Sequence, residues 1–435
     1  MAEVGITPAL GADLAGHFSP RRADTIEREL FVRALALSDR TGGGQIVLVS
    51  CDLVMLPAEI IAAAASRIAD QTGLGPDQLL VSATHSHSTP STMPELGVND
   101  VDPTFLDRVT AAIVQAVVIA LTTVVPARVG WGQAPVTGVC FNRRSRTSGG
   151  DVVTNAPCDR TDLIGPAGPT DPLVTGLCVE HRDGRPLAWW TNLSLHYVAA
   201  ASDTAISSDY YGALVSRLKA MSGDGVHVQA TNGCSGDINN VDRGAAVPDS
   251  GAARAELVAT AVAGAVLAGT AMSPRADEVP ISTRRVEVDL VRAEVTAADL
   301  AAARAHQPGE ELRLSWVSGD PMRGAAADYF AERLLHLAAR PAEGTAAVAV
   351  ARIGELCLVG LPGEFFAETG MTIRDLSPAA TTTVIGLTGG HLGYVPPARA
   401  WDEGGYETWR NALSWTAPGT AERLVTAVQE IIDEH

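Results

Sequence analysis

Between residues 45 and 88 the chain runs strand, helix, strand in immediate succession, and that order restricts its fold more than any other feature. Residues 45–54, QIVLVSCDLV, form a short apolar run behind a Gly-rich turn, and 28–37 before it alternates and then turns apolar. Both read as strands. Residues 57–72, PAEIIAAAASRIADQT, have helical period, proline in the first turn and Gly73 as a stop. A second buried strand is expected at 78–83, ending at His85. The alternation continues, with strand-like segments at 127–131, 172–180, 187–196 and 227–231 and helix-like ones at 210–221 and 252–267. Beyond 273 the pattern predicts a strand at 279–290, helices at 297–306 and 325–339, a strand pair across 347–361 and a last helix at 421–432. The expected class is mixed α/β, with central sheets flanked by helices. Residues 1–435 are expected to form one catalytic-type domain, with a lobe boundary allowed at 273–278 and no fixed-period repeat. The Gly/Pro/Ser/Thr-rich stretch 147–171 is expected to be a long functional loop, because it carries too little apolar content to pack as core.

Composition excludes several classes. A 435-residue chain with 46% hydrophobic and 19% charged residues has ample material for a core, so disorder is not its main state. A formal charge of −18 argues against a nucleic acid partner or an anionic membrane surface. Lys219 is the sole lysine, which leaves little for a Walker-type loop or a lysine Schiff base. The six cysteines (Cys51, Cys140, Cys158, Cys178, Cys234, Cys357) contain no C-x-x-C pair and read as small core residues. The N-terminus lacks the basic start and apolar stretch of a signal peptide, so a cytoplasmic protein is expected. The longest apolar run, 111–125, contains Gln115 and falls short of the ~20 residues that span a bilayer. It reads as a buried helix or a helix-to-strand passage, and no stable membrane anchor is expected.

Three polar clusters follow apolar strands, where open α/β sheets commonly place ligand sites. The first is Thr84-His85-Ser86-His87-Ser88, an H-x-H whose imidazoles share one side of an extended segment and suit one metal. A hydrogen-bonded strand end without metal is the plain alternative. The second is Leu195-His196, where a lone histidine is more often a satisfied core residue. The third, Thr231 to Asn240 (TNGCSGDINN), is either a strand-to-loop ligand site or a Gly/Asn turn with Asp237 as a cap. It is not a G-x-S-x-G elbow. Glu364 in Pro362-Gly363-Glu364 and Tyr394 in Gly393-Tyr394-Val395-Pro396 complete the set, each open to a structural reading as a first-turn carboxylate or a packed aromatic.

Taken in order, these blocks resemble the catalytic domain of the neutral/alkaline (non-lysosomal) ceramidase family. Val49-Ser50-Cys51-Asp52 and Thr84-His85-Ser86-His87-Ser88 are similar to its first blocks, the latter to T-H-T-H-S-G-P, and Asn142-Arg143 follows. Leu195-His196, Ser207-Ser208-Asp209, Gly236-Asp237-Ile238-Asn239, Pro362-Gly363-Glu364 and Tyr394-Val395-Pro396 then match its later blocks from about residue 5 to 410. The resemblance implies a Zn2+ site of His85, His196, Glu364 and Tyr394, a ligand set compatible with catalytic zinc. It implies that His87 and Arg143 either support the metal ligands or face substrate, stabilising oxyanion charge, with Asp237 orienting water or His87. Asp52 is a weaker candidate for the surroundings of the metal, with a strand-end hydrogen bond as its alternative.

The sequence departs from the family at Asn239, which stands where the motif carries serine and has no nucleophilic group. Neither a signal peptide nor the family's immunoglobulin-like C-terminal domain is expected, the latter because about forty residues follow Tyr394. The expected function is therefore a zinc-dependent hydrolase acting on an amide or ester bond of a small polar substrate other than ceramide. Asn239, Arg144 and Asn142 are expected to bind that substrate. Arg143, Arg144 and Arg146 leave room for a second reading, a zinc-dependent lyase or glycoside-cleaving enzyme on an acidic sugar. A metal- or ligand-binding homologue without catalysis is the third. The sequence permits a homo-oligomer.

Overall fold

Three four-stranded sheets organise the chain, and all three have the same order. The computed structural model describes residues 1–39, 43–94, 101–157, 159–198, 202–243, 245, 250–317 and 321–434. In the first sheet Ala2–Gly5, Phe31–Ser38 and Gln45–Cys51 pair antiparallel, and Leu79–Ala83 joins Gln45–Cys51 in parallel. The second sheet repeats this with Arg128–Pro135, Leu173–Glu180 and Pro186–Leu193, joined in parallel by His227–Asn232. The third does so with Ile281–Val291, Glu343–Ile353 and Leu356–Gly360, joined by Thr381–Ile385. Each parallel strand is reached through a helix, Ala58–Thr72, Asp209–Ser222 and Ala367–Leu376 respectively. A crossover of this kind is what parallel pairing requires.

The inner faces of the three sheets share one apolar core. Leu35, Leu37, Ile46 and Leu48 of the first meet Leu177 and Trp190 of the second and Leu356 and Leu358 of the third. The alternate residues Ala34, Ala36, Val47 and Val49 face outward, where the helices Ala58–Thr72 and Pro103–Thr122 cover them. A strand buried on both faces reads as a continuous apolar run, which explains the sequence of Gln45–Cys51. Removing one such leucine from water is worth about 2 kcal/mol. The second sheet is covered by Asp209–Ser222 and Ala252–Ala271, and the third by Gly324–Ala339 and Thr420–Asp433.

Several expectations are adjusted. The helix Pro103–Thr122 starts well before the apolar run at 111, because Asp102 caps it by accepting from the Thr104 amide and Pro103 takes its first turn. This helix and Ala252–Ala271 are long and apolar enough to cross a membrane by length and composition. Each packs against a sheet. The stretch 147–171 is not a structureless loop: Arg144–Thr147 pairs antiparallel with Val152–Thr154 and Leu163–Pro166. Strand pairing satisfies its backbone, and Val152, Ala156 and Ala167 are buried without any long apolar run. Segment 273–278 is tied to the second sheet, with Val129 and Ala276 exchanging both backbone hydrogen bonds and Arg275 reaching Glu180 at 3.2 Å. Cys51, Cys178, Cys234 and Cys357 are buried free thiols and Cys140 is half-buried. Cys158 lies outside the described residues.

Candidate active site

The carboxyl ends of the three parallel pairs converge. His85 follows the strand Leu79–Ala83 in a left-handed conformation, φ 73°. His196 lies just past Pro186–Leu193, and Glu364 just past Leu356–Gly360. The two-residue strands Glu364–Phe365 and Tyr394–Val395 pair in parallel with Glu364 opposite Tyr394, which brings the last two expected ligands side by side. Close approach is needed here: a Cβ on Gly236 would stand 2.5 Å from the Glu364 carbonyl oxygen.

The imidazoles are oriented from behind. His85 Nδ1 lies 2.9 Å from the Val54 carbonyl and His87 Nδ1 3.1 Å from the Gly16 carbonyl. A carbonyl only accepts, so each Nδ1 carries the proton and each Nε2 presents a lone pair. Those two lone pairs face one another, with His87 Nε2 3.3 Å from His85 Nε2. His196, whose Nδ1 takes the Arg143 guanidinium at 3.2 Å, carries its proton on Nε2, 3.0 Å from His87 Nε2. Glu364 Oε2 lies 3.2 Å from His85 Nε2 and 3.6 Å from His196 Nδ1, is buried and receives no hydrogen bond. Acceptors converging on one another repel unless a cation lies among them, and borderline-soft divalent metals take this mixture of imidazole and carboxylate. The donor set therefore fits a metal ion. His85, His87 and His196 offer ligand atoms within 4.8 Å of one another.

Protonation states agree with that fit. Burial, then the neighbouring His85, holds His87 well below its ordinary pKa, and burial, His85 and Arg143 do the same to His196. Burial pushes Glu364 upward, but His85, His391 and His196 outweigh it and keep the carboxylate well below its usual range. Burial holds the Tyr394 phenol well above its ordinary value although Arg143 pulls it down.

His87 lines the cavity and also joins the histidine group. Arg143 lines the cavity as well. Its Nε donates to Glu407 at 2.8 Å, its Nη2 to the Gly236 carbonyl at 2.6 Å, and its Nη1 lies 3.2 Å from His196 Nδ1. Its guanidinium also stands over the Tyr394 ring, 5.2 Å from the centroid.

Four expected residues lie behind the site wall. Asp237 accepts from the Ala367 amide at 2.8 Å and from Asn142 Nδ2 at 2.7 Å, so it holds a helix start, and it does not line the cavity. Asn142 is consumed in that bond and in one to the Pro169 carbonyl. Arg144 pairs with Glu407 at 2.8 Å and stacks on Phe366, and Arg146 pairs with Glu403 at 2.6 Å. Neither arginine lines the cavity. Asn239 is buried and gives its amide to Asn155. Asp52 takes its strand-end alternative, accepting from the Phe31 amide at 3.0 Å and from Arg33 at 2.7 Å.

Above the histidines lies a cavity of about 490 Å³. His85, His87, His196, Arg143, Glu364 and Tyr394 all line it. Its walls add Phe18, Val54, Met55, Tyr329, Tyr406, Trp409 and Leu413, with His17 and Asn155 also contributing. The aromatic rings brace one another, Tyr406 edge-on to Tyr394 at 5.3 Å and to Trp409 at 5.6 Å between centroids. Apart from Tyr329, which lies within the helix Gly324–Ala339, the wall residues and the carboxylates Asp209 and Glu407 sit in loops or at helix ends, where no periodicity marks them. Asp209 has the one sequence signal, its place in the Ser207-Ser208-Asp209 block.

A buried histidine–carboxylate group at the floor of a cavity, set at the carboxyl ends of parallel strands, defines an α/β enzyme with a metal-capable site. Residues 5–254, more than half of the chain, match the N-terminal domain model of the neutral/alkaline non-lysosomal ceramidases. The chain belongs to that family, and with it to the hydrolases. The fold agrees. A ceramidase complexed with C2 matches at 15% identity and a TM-score of 0.72, covering 99% of this chain and 73% of that one. The neutral ceramidase of Pseudomonas aeruginosa matches at 16% and 0.71, covering 99% and 72%. No curated protein sequence matches the chain.

Proposed function

We propose that this chain is a zinc-dependent hydrolase that cleaves an amide or ester bond of a small substrate other than ceramide. The observation that carries the metal is that His85 Nε2, its ring oriented by the Val54 carbonyl, faces both His87 Nε2 at 3.3 Å and the undonated Glu364 Oε2 at 3.2 Å. His85, His196 and Glu364 would hold the ion, with His87 and Tyr394 as the remaining candidates for its coordination shell. When bound, zinc supplies Lewis acidity and a water of lowered pKa.

The chain's own residues supply the rest. Arg143, pinned by Glu407 and the Gly236 carbonyl, offers a fixed positive charge toward an oxygen that gains charge in the transition state. Burial keeps the Tyr406 phenol protonated, a donor on the cavity wall. The aromatic and aliphatic walls favour an apolar acyl group and exclude water around the bond to be cut. This adjusts the polar substrate expected from sequence. The acidic-sugar reading keeps only Arg143, because Arg144 and Arg146 are paired with Glu407 and Glu403 and do not line the cavity. A substrate other than ceramide is favoured by Asn239 in place of the motif's serine and by cavity walls that carry no serine among the described residues.

Elemental analysis with turnover of a panel of N-acyl amides and acyl esters tests this. About one zinc per chain is expected, lost together with activity in His196→Ala and Glu364→Ala. Normal turnover in both variants overturns the reading.

A further inference from the structure

Asn155 sits exposed at the mouth of the cavity in a left-handed conformation, φ 50°. Its setting is built on three sides. Its amide donates to the Arg143 carbonyl at 2.8 Å, and the preceding Thr154 hydroxyl donates to Glu407 at 2.7 Å. Asn239 Nδ2 donates to Asn155 Oδ1 at 3.0 Å.

The direction of that last bond is fixed by the backbone. The Val241 amide donates to Asn239 Oδ1 at 3.2 Å, and an N–H can only donate, so the Asn239 carboxamide must turn its Nδ2 toward Asn155. Asn155 in turn must present its oxygen to Asn239. Its Nδ2 is left over, and among the described residues that amino group has no partner. A chain of two carboxamides thus ends in a pair of oriented N–H donors at the rim of the pocket, away from the histidines on its floor.

We propose that Asn155 is a substrate-binding and specificity-determining residue, and that Asn239 is its positioning residue. Asn155 would take an oxygen acceptor on the substrate, a carbonyl or a carboxylate, on the side of the scissile bond away from the acyl group. The inference rests on the hydrolase reading for the identity of the cavity as the substrate site. It also gives Asn239 a part that its burial would otherwise deny: it acts through Asn155 and touches no substrate.

Calorimetry on the zinc-loaded protein tests it with three probes that share an aromatic acyl group: N-benzoylglycine, N-benzoylglycinamide and N-ethylbenzamide, which lacks the second acceptor. At least one of the first two should bind about tenfold more tightly than N-ethylbenzamide, the worth of one good hydrogen bond. Preference for the glycine identifies a carboxylate acceptor, and for the glycinamide an uncharged carbonyl. Asn155→Gly, which keeps the left-handed backbone, should abolish the preference. Asn239→Asp should make N-benzoylglycine bind more weakly than N-ethylbenzamide. Its carboxylate can only accept from Asn155 and so turns the Asn155 oxygen to the cavity, where the glycine carboxylate has no hydrogen to offer. A merely structural role for Asn239 would not produce reversal. No acceptor preference in the wild type, the same preference in Asn155→Gly, or no binding of any probe overturns the proposal. Hydrolysis is followed in parallel: probes that bind with the expected preference but are never cleaved refute the hydrolase reading and leave this one standing.

Discussion

Asp209 joins the metal site to the fold, and its titration can be measured. Its carboxylate accepts from Ser86 Oγ at 2.5 Å, the His87 amide at 2.8 Å and Ser88 Oγ at 3.3 Å, gripping the H-x-H segment from a left-handed backbone, φ 51°. Burial pushes its pKa from 3.8 up to about 6, with those three donors pulling the other way. A folded-state pKa above the unfolded one means that the group's contribution to stability is fully present below 3.8 and is lost as pH rises through about 6. At pH 8 the ionised carboxylate therefore costs the fold about 3 kcal/mol, the whole shift at roughly 1.4 kcal/mol per unit. At pH 5 it is still protonated in the fold but ionised when unfolded, and the cost is about half as large. Asn at this position carries no such dependence and tolerates the left-handed φ. Urea unfolding of chelator-treated wild type and Asp209→Asn at pH 5 and pH 8 should show the stability gap moving toward the variant by about 1 to 2 kcal/mol. A gap that stays constant, or that moves toward the wild type at pH 8, refutes the reasoning and places an already ionised carboxylate at Asp209 at pH 5.

Two further outcomes are expected. A Cβ on Gly16, whose φ is +88°, would lie 2.6 Å from His87 Nδ1, so Gly16→Ala should displace that ring and weaken metal binding at least about tenfold, read by competition with a chelator. Glu407→Gln removes the shared carboxylate of buried Arg143 and Arg144 and should destabilise the chain by about 3 to 5 kcal/mol in chemical denaturation; a loss under about 1 kcal/mol contradicts its bracing role.

The repeated architecture shows how far a sequence can be read. Each sheet, with its crossover helix and a second covering helix, has the same order, yet the chain has no repeat period. Layered packing asks only for apolar residues at alternate or helical positions, and these three units meet that demand with unrelated side chains and loops of different length. The elements were legible one at a time, while their threefold recurrence was not. Arg144–Thr147 and its partners were missed for a related reason: their stability comes from ladder hydrogen bonds and from arginines paired with Glu403 and Glu407, and neither leaves an apolar pattern.

The sequence by itself determined the α/β class, most helices and strands, and the H-x-H at the end of a buried strand, because these depend on residues a few positions apart and on the periods of 2 and 3.6. The ordered blocks also marked His196, Glu364 and Tyr394 through family resemblance. Only the tertiary structure decided that His87 joins His85 and His196, that Asp237, Asn142 and Arg144 turn away from the cavity, and that Asn239 reaches it through Asn155. Those outcomes rest on contacts between residues far apart in the chain, where side-chain direction is set by packing and by which backbone group lies opposite, and neither is written in local spacing.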